Sequence, residues 1–234
     1  MTEAQAVAPT PPAAEAVFGT RLELAERYVA LLADTGITHG LIGPREADRL
    51  WVRHVLNSAV VQPLFDEGAA IADVGSGAGL PGIPLAIARP DLRVTLIEPL
   101  FRRTAWLETA IAELGLAHVV VHRGRAESLW GATRFRHVTA RAVARTAELA
   151  RVCLPLVEAG GSLHALKGER AEQELVEDGE SLAALGTMRT WISRFGAGVV
   201  EPETVVVSMA PDAMVPVPST RAPRPRRGRA HPPG

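Results

Sequence analysis

Asp73-Val-Gly75-Ser-Gly77-Ala-Gly79-Leu80-Pro-Gly82 is the stretch in which residue types and spacing most plainly fit a chemical task. Glycines at every second position let the backbone turn sharply and let a ligand approach peptide N–H groups without a Cβ in the way. A helix expected from Pro81 onward adds its own unpaired N–H groups. Two ligand patterns are satisfied at once. Gly77-x-Gly79-x-x-Gly82 matches the dinucleotide fingerprint G-x-G-x-x-G, and Asp73-x-Gly75-x-Gly77-x-Gly79 matches the looser pattern of S-adenosylmethionine sites. A tight strand-to-helix turn with no ligand uses the same residues. Glu98 ends the next apolar run, 23 residues after Gly75, where a carboxylate accepts both hydroxyls of a ribose from either cofactor. Asp73 is poorly suited to a pyrophosphate but well suited to a ligand carrying an ammonium and a sulfonium. The string therefore favours S-adenosylmethionine over NAD, and NAD over a bare turn. No G-x-x-x-x-G-K-[ST] is present, which argues against a nucleoside triphosphatase.

Two cations form a second group. Arg141 and Lys167 each stand at the carboxyl end of an expected strand, the edge on which α/β sheets bind ligands. Elsewhere a snorkelling surface cation would be the ordinary reading. Here Lys167 is the single lysine beside 24 arginines, so a position that keeps lysine asks why arginine would not serve. Arg102 and Arg103 open an expected helix, where cations oppose the macrodipole and an anionic partner would offset the cost. His54 has Ser58 and no metal ligand at i+4. Trp51, Trp106, Trp130 and Trp191 are scattered and read as core. Cys153 lies in a helix-like run before Leu154 and Pro155, with no catalytic cysteine motif around it.

The elements that must position these residues follow from apolar rhythm. Phe18, Leu22, Ala25, Val29 and Leu32 recur at helical spacing, closed by Gly36. A second helix is expected after Gly43, with Pro44 at its first position and Glu46 and Asp48 in its first turn, running through Leu50, His54 and Val61. Strands are expected at Ala70–Val74, Arg93–Glu98, His118–His122, Arg136–Ala140 and Ser162–Leu166. Between them fall helices at Pro81–Ala88, Phe101–Leu114, Val143–Cys153 and Glu169–Leu185. Alternation of this kind, with runs too apolar for one wet face, predicts a parallel sheet covered on both sides. Trp191–Phe195 and Thr204–Met209 are separated by Gly196, Gly198 and Pro202 with no room for a crossover helix, so the sheet closes on an antiparallel hairpin. The expected fold is α/β: a Rossmann-like, seven-stranded, mostly parallel sheet with that terminal hairpin and an N-terminal helical extension.

The chain has 234 residues, 47% of them apolar, and a formal charge of −1. That is enough for one sizeable core with attachments. One cysteine excludes an intrachain disulfide framework and a multi-cysteine zinc site and points to a reducing cytoplasm. No uninterrupted run of 18 apolar residues exists, and residues 1–16 lack the order of a signal peptide. A cytoplasmic monomer with no metal and no membrane attachment is expected. Residues 1–16 are Ala/Pro-rich and expected to be disordered, 17–69 form a helical arm, 70–209 the cofactor domain, and 210–234 a Pro/Arg tail. From Ala213 onward there are five arginines and no acid, leaving 20 basic and 26 acidic residues in Met1–Asp212. A net −6 body with a basic tail points to a polyanion partner.

Asp73-Val-Gly-Ser-Gly-Ala-Gly-Leu-Pro-Gly-Ile-Pro-Leu-Ala86, Glu98 with Arg102-Arg103, Arg125-Ala-Glu127, Arg141-Ala142, Leu166-Lys167-Gly168 and the upstream Arg53-His54-Val-Leu-Asn57-Ser58 resemble, in order, one family. It is the glucose-inhibited division protein B family of bacterial small-subunit (16S) ribosomal RNA guanine-N7 methyltransferases, and the likeness covers residues 18–209. The resemblance implies a class I methyltransferase using S-adenosylmethionine, with small-subunit rRNA or a ribosomal particle as partner. It implies that Gly75 and Leu80 line the donor site, that Ala126 and Glu127 flank the adenine, and that Arg141 lies beside donor and acceptor. For Glu127, a helix-start acid favoured by the dipole is an equal reading. Gly77 and Glu98 join on physical grounds, close backbone approach and ribose hydrogen bonding. Lys167 joins Arg141 in positioning the guanosine. N7 is an unprotonated acceptor and needs no general base. A nicotinamide-dependent oxidoreductase and a non-catalytic RNA-binding module remain the competing classes.

Overall fold

The computed structural model describes residues 7–141, 144–186 and 188–217. The tail's five arginines and the start of the Val143–Cys153 helix lie outside those residues. The helical N-terminal part comprises α1 (Ala13–Phe18), α2 (Leu22–Leu31) and α3 (Asn57–Ala59). The apolar stripe foreseen from Phe18 to Leu32 is there, buried but for the half-buried Leu22. α1 begins inside the stretch 1–16 expected to be disordered, with Ala14 buried. The chain is also less regular than one helix. Gly19–Arg21 is a 3-10 turn and Leu32–Gly36 a π turn. The expected second helix is likewise a 3-10 segment (Pro44–Arg49), a π-helical segment (Leu50–Leu56) and then α3. π geometry is rare and is frequent at functional sites.

The sheet follows: β1 (Ala70–Val74), β2 (Arg93–Glu98), β3 (Val119–Arg123), β4 (Phe135–Arg141), β5 (Val157–Lys167), β6 (Met188–Phe195) and β7 (Thr204–Pro211). Their order is β3-β2-β1-β4-β5-β7-β6. The first five pair parallel, and β7 runs antiparallel to both β5 and β6. The interleaved helices are α4 (Gly82–Ala88), α5 (Phe101–Leu114), α6 (Thr146–Cys153), α7 (Ala171–Glu177) and α8 (Gly179–Ala183). Strand β1 is buried along nearly its whole length, which explains why it reads as a continuous apolar run rather than an alternation.

Two expectations changed in detail. Strand β5 begins five residues earlier than its apolar run, and the pairing with β4 shifts register between Phe135 and His137. The single helix foreseen over Glu169–Leu185 is two, α7 and α8, which meet at Asp178-Gly179; the Asp178 carboxylate accepts the N–H of Ala147 (2.9 Å) and the guanidinium of Arg145 (2.8 Å). The order of the sheet reverses between β1 and β4, so their carboxyl ends form the crevice in which open α/β sheets bind ligands.

Candidate functional site

β1 delivers Asp73 to the carboxyl edge with its side chain fully buried. Its Oδ2 accepts the N–H of Gly82 at 3.1 Å, and its Oδ1 has no partner. Burial pushes the Asp73 carboxyl up to about 7, opposed by the hydrogen bond from Gly82, while Ser76 Oγ donates to the Asp73 backbone carbonyl (2.8 Å). Gly82 must be glycine for packing alone, since a Cβ there would lie 2.3 Å from Leu96 and 2.9 Å from Asp73. Gly77 is different. It has φ +57°, and a Cβ built on it would find only the Gly75 carbonyl, 3.9 Å away. The space over Gly77 is open, while the space beneath the loop is full.

β2 brings Glu98 alongside. Its carboxylate is buried and braces the turn, Oε2 accepting the Gly77 N–H at 3.1 Å and Oε1 the Leu100 N–H at 3.0 Å. Arg103 stands 3.6 Å from the same Oε2, the anionic partner its place in the first turn of α5 called for. Two hydrogen bonds leave lone pairs on the carboxylate for further donors. The Glu98 carbonyl accepts from Gly124 (3.2 Å), tying the end of β3 to the end of β2. Just beyond lie Ala126, buried, and Glu127, exposed, at the start of a 3-10 turn. Gly75, Gly77, Leu80, Glu98, Ala126 and Glu127 thus gather along the ends of β1, β2 and β3.

Arg141 ends β4 and reaches back to the N-terminal arm. Its guanidinium donates to the carbonyls of Arg53 (2.8 Å) and His54 (3.2 Å), to Ser58 Oγ (3.0 Å) and to His54 Nδ1 (3.1 Å). It thereby ties the end of β4 to the π-helical segment of the arm. His54 passes the contact on to Glu46 at 2.9 Å; burial, then Arg141, hold its imidazole below the usual range. Lys167 ends β5, with Nζ on the Ala144 carbonyl (2.6 Å) and on Glu174 (2.9 Å). Both cations are therefore engaged by protein groups. They share a cleft of about 1270 Å³ whose rim includes Arg49, Arg53, Asn57 and Arg194. The cleft adjoins β4, β5 and β7, and the glycine turn is not part of its lining. The site so divides into a glycine cradle and a neighbouring cleft, with Arg141 facing the cleft.

Sequence reasoning passed over Tyr28. It is fully buried on α2, and its hydroxyl donates to the Ala78 carbonyl at 2.8 Å, fixing the glycine turn from the arm. Being the chain's one tyrosine, on the stripe between Ala25 and Val29, was the available signal; a buried phenol needs a partner. Glu174 was also missed. Cys153 is buried and its thiol is pushed up by burial, which leaves it inert. Trp51 and Trp106 are core as expected, while Trp191 on the edge strand is partly exposed under Arg189. Among the described residues no group of three potential metal ligands occurs, and no helix is long and apolar enough to cross a membrane.

The sheet order with its terminal antiparallel hairpin defines a Rossmann-like fold of the class I methyltransferases. A solved O-methyltransferase, TomG from Streptomyces achromogenes in complex with SAM, superposes with a TM-score of 0.51 at 18% identity, covering 80% of this chain and 89% of that one. The fibrillarin pre-rRNA processing protein of Methanococcus jannaschii gives 0.50 at 18% identity over 67% and 74%. The chain belongs to the GidB family, rRNA small subunit methyltransferase G, whose profile matches residues 21–202. Curated relatives of the name Ribosomal RNA small subunit methyltransferase G include one from Streptomyces avermitilis, 51% identical over 88% of this chain and 87% of its own length. Another, from Salinispora tropica, is 50% identical over 96% and 98%. Family membership decides between the two readings of the glycine string, against the nicotinamide one.

Proposed function

We propose that this protein methylates N7 of a guanosine in small-subunit (16S) ribosomal RNA, with S-adenosylmethionine as donor. The observation that carries the reading is the cradle itself: a fully buried Asp73 with an unpartnered Oδ1 beneath an open turn at Gly77, in a chain of the rRNA small subunit methyltransferase G family. An orphaned buried carboxylate is costly, and a cationic ligand head offsets that cost. The residues present fit the donor. Gly75, Gly77 and Leu80 form the cradle, the remaining lone pairs of Glu98 take ribose hydroxyls, and Ala126 and Glu127 border the base.

When bound, the donor supplies an electrophilic methyl group on a sulfonium. The protein's part is alignment. N7 carries a free lone pair and no proton, so no residue need act as general base. Glu174, the carboxylate paired with Lys167, is held as an ion-pair partner and below its ordinary range by the Lys167 hydrogen bond. The methylated purine is cationic, so a cation aimed at N7 would oppose the reaction. Lys167 and Arg141 instead hold the walls of the cleft, one through Glu174 and the segment at Ala144, the other through the arm. The arm at 17–69, the catalytic unit at 70–209 and the Pro/Arg tail complete this reading, in which a cytoplasmic monomer acts on rRNA or a ribosomal particle.

Incubation of the purified protein with methyl-labelled donor and small-subunit rRNA, followed by nucleoside analysis, tests it. Label in 7-methylguanosine is expected. Label in a ribose-methylated or amino-methylated nucleoside, or none, contradicts it.

A further inference from the structure

Beyond the cradle and the cleft, one exposed surface has no role so far. At the carboxyl ends of β2 and β3, Phe101 is 68% exposed and Leu100 53% exposed. No other described aromatic residue is even half exposed. Arg123, the last residue of β3, lies with its guanidinium over the Phe101 ring, 5.5 Å from the centroid. Arg102 follows Phe101 directly and Arg125 lies two residues beyond Arg123, and both are exposed. Arg102, Arg123 and Arg125 make no ion pair with any described residue. The fourth arginine, Arg103, is spent on the buried Glu98. In a body that is net acidic, one arginine over an exposed ring with two more unpaired arginines close by in the chain form a local exception.

We propose that Phe101, with Arg102 and Arg123, is a stacking platform for an unpaired nucleotide of the RNA substrate, on the far side of the cofactor cradle from the cleft. This rests on the function proposed above. An aromatic face takes any base, and arginines beside it take the backbone phosphates. The guanidinium over the ring adds a second planar surface on which a base can stack. The geometry also sets the reach. β3 and β5 are separated by β2, β1 and β4, so at about 4.8 Å per strand the platform stands roughly 15–20 Å from Lys167 along the same sheet edge. Several nucleotides of single strand bridge that span and cross the cradle on the way. The occupant is thus a single-stranded segment flanking the modified guanosine.

The test measures three quantities on the full-length protein: affinity for small-subunit rRNA across a salt series, affinity for S-adenosylmethionine by calorimetry, and methyl transfer. Phe101→Ala should weaken RNA binding about 10-fold, the scale of one lost base stack, with donor affinity unchanged. Phe101→Trp should retain RNA binding. Arg102→Gln and Arg123→Gln should each lower the slope of log affinity against log salt by about 0.7, one phosphate contact on a single strand. Unchanged RNA affinity in a folded Phe101→Ala variant overturns the proposal. So does a loss of donor affinity with RNA binding intact, which would assign Phe101 to the cofactor. A parent protein that transfers no methyl group to the RNA would instead defeat the proposed function, so the two failures are told apart.

Discussion

Two polar clusters in this one sheet are built in opposite ways. Towards the amino edge, His137 on β4 meets His164 on β5 at 3.1 Å, and His164 meets Ser208 on β7 at 2.9 Å. The outer nitrogen of His137 faces the N–H of Asp66 at 3.4 Å, and Phe65 packs edge-on against both rings. Each ring nitrogen has a partner, and the network is closed. At the carboxyl edge Asp73 is just as deeply buried, yet one oxygen has none. A satisfied network specifies the fold; an unsatisfied one carries a cost that persists where something else completes it. The contrast singles out the carboxyl edge at Asp73; the other buried polar atom without a partner among the described residues is Arg21 Nε, in the arm.

The comparison can be broken from the ligand side first. Gly77→Val places a branched side chain in the open space of the cradle and at a φ of +57°, so donor affinity should fall by more than 10²-fold. Calorimetry on a variant shown to be folded checks this, and unchanged affinity would remove Gly77 from the site. Lys167→Met should cut methyl transfer on the order of 10²-fold through lost alignment while leaving donor affinity intact. Equal losses in both would place Lys167 with the donor instead.

Arg141→Met should cost about 2–3 kcal/mol of stability, the scale of losing a buried charge-assisted hydrogen-bond set, and should loosen the π-helical segment at Leu50–Leu56. Hydrogen exchange at Arg53–Ser58 reads the second effect. A variant as stable as the parent would show that the arm does not depend on Arg141.

The two clusters also respond oppositely to acid. Burial first, and then the neighbouring His137, lower the His164 imidazole to about 3, below its unfolded value of about 6.5. That contribution to stability is therefore full above pH 6.5 and is lost as pH falls towards 3. Asp73, raised by burial to about 7, acts in the reverse sense. Its folded state keeps a proton that the unfolded chain has released, so it costs stability as pH rises from about 3.8 to 7. Over the shared window the slopes oppose each other. Asp73→Asn should remove one of them, making melting temperature rise more steeply with pH between about 4 and 6.5 than in the parent. Parallel melting profiles would show that Asp73 is ionised throughout.

How much of this was legible beforehand follows from range. The parallel strands, the hairpin and the glycine turn were readable because each is signalled by local rhythm or by a backbone conformation that one residue type supplies. The break at Asp178 carries a local signal in the Asp178-Gly179 pair, but the partner that holds its carboxylate, Ala147, is 31 residues away. The arm was read as regular helix since its apolar stripe is regular; its π geometry is held by Arg141, more than 80 residues on. Arg141 and Lys167 were correctly placed at strand ends, but their engagement by Ser58, Arg53 and Glu174 is tertiary and left no mark on spacing. Tyr28 shows the same limit, its phenol answering a carbonyl 50 residues away.

The central claim is that the protein aligns an acceptor needing no deprotonation. The most direct measurement is the single-turnover rate of methyl transfer to small-subunit rRNA, at saturating donor and RNA, from about pH 6.5 to 8.5. That range lies well below the reference lysine pKa of about 10.4. The account predicts a nearly flat profile with all label in 7-methylguanosine. A rate rising about tenfold per pH unit would mean that a proton leaves the acceptor, and N7 would be the wrong atom.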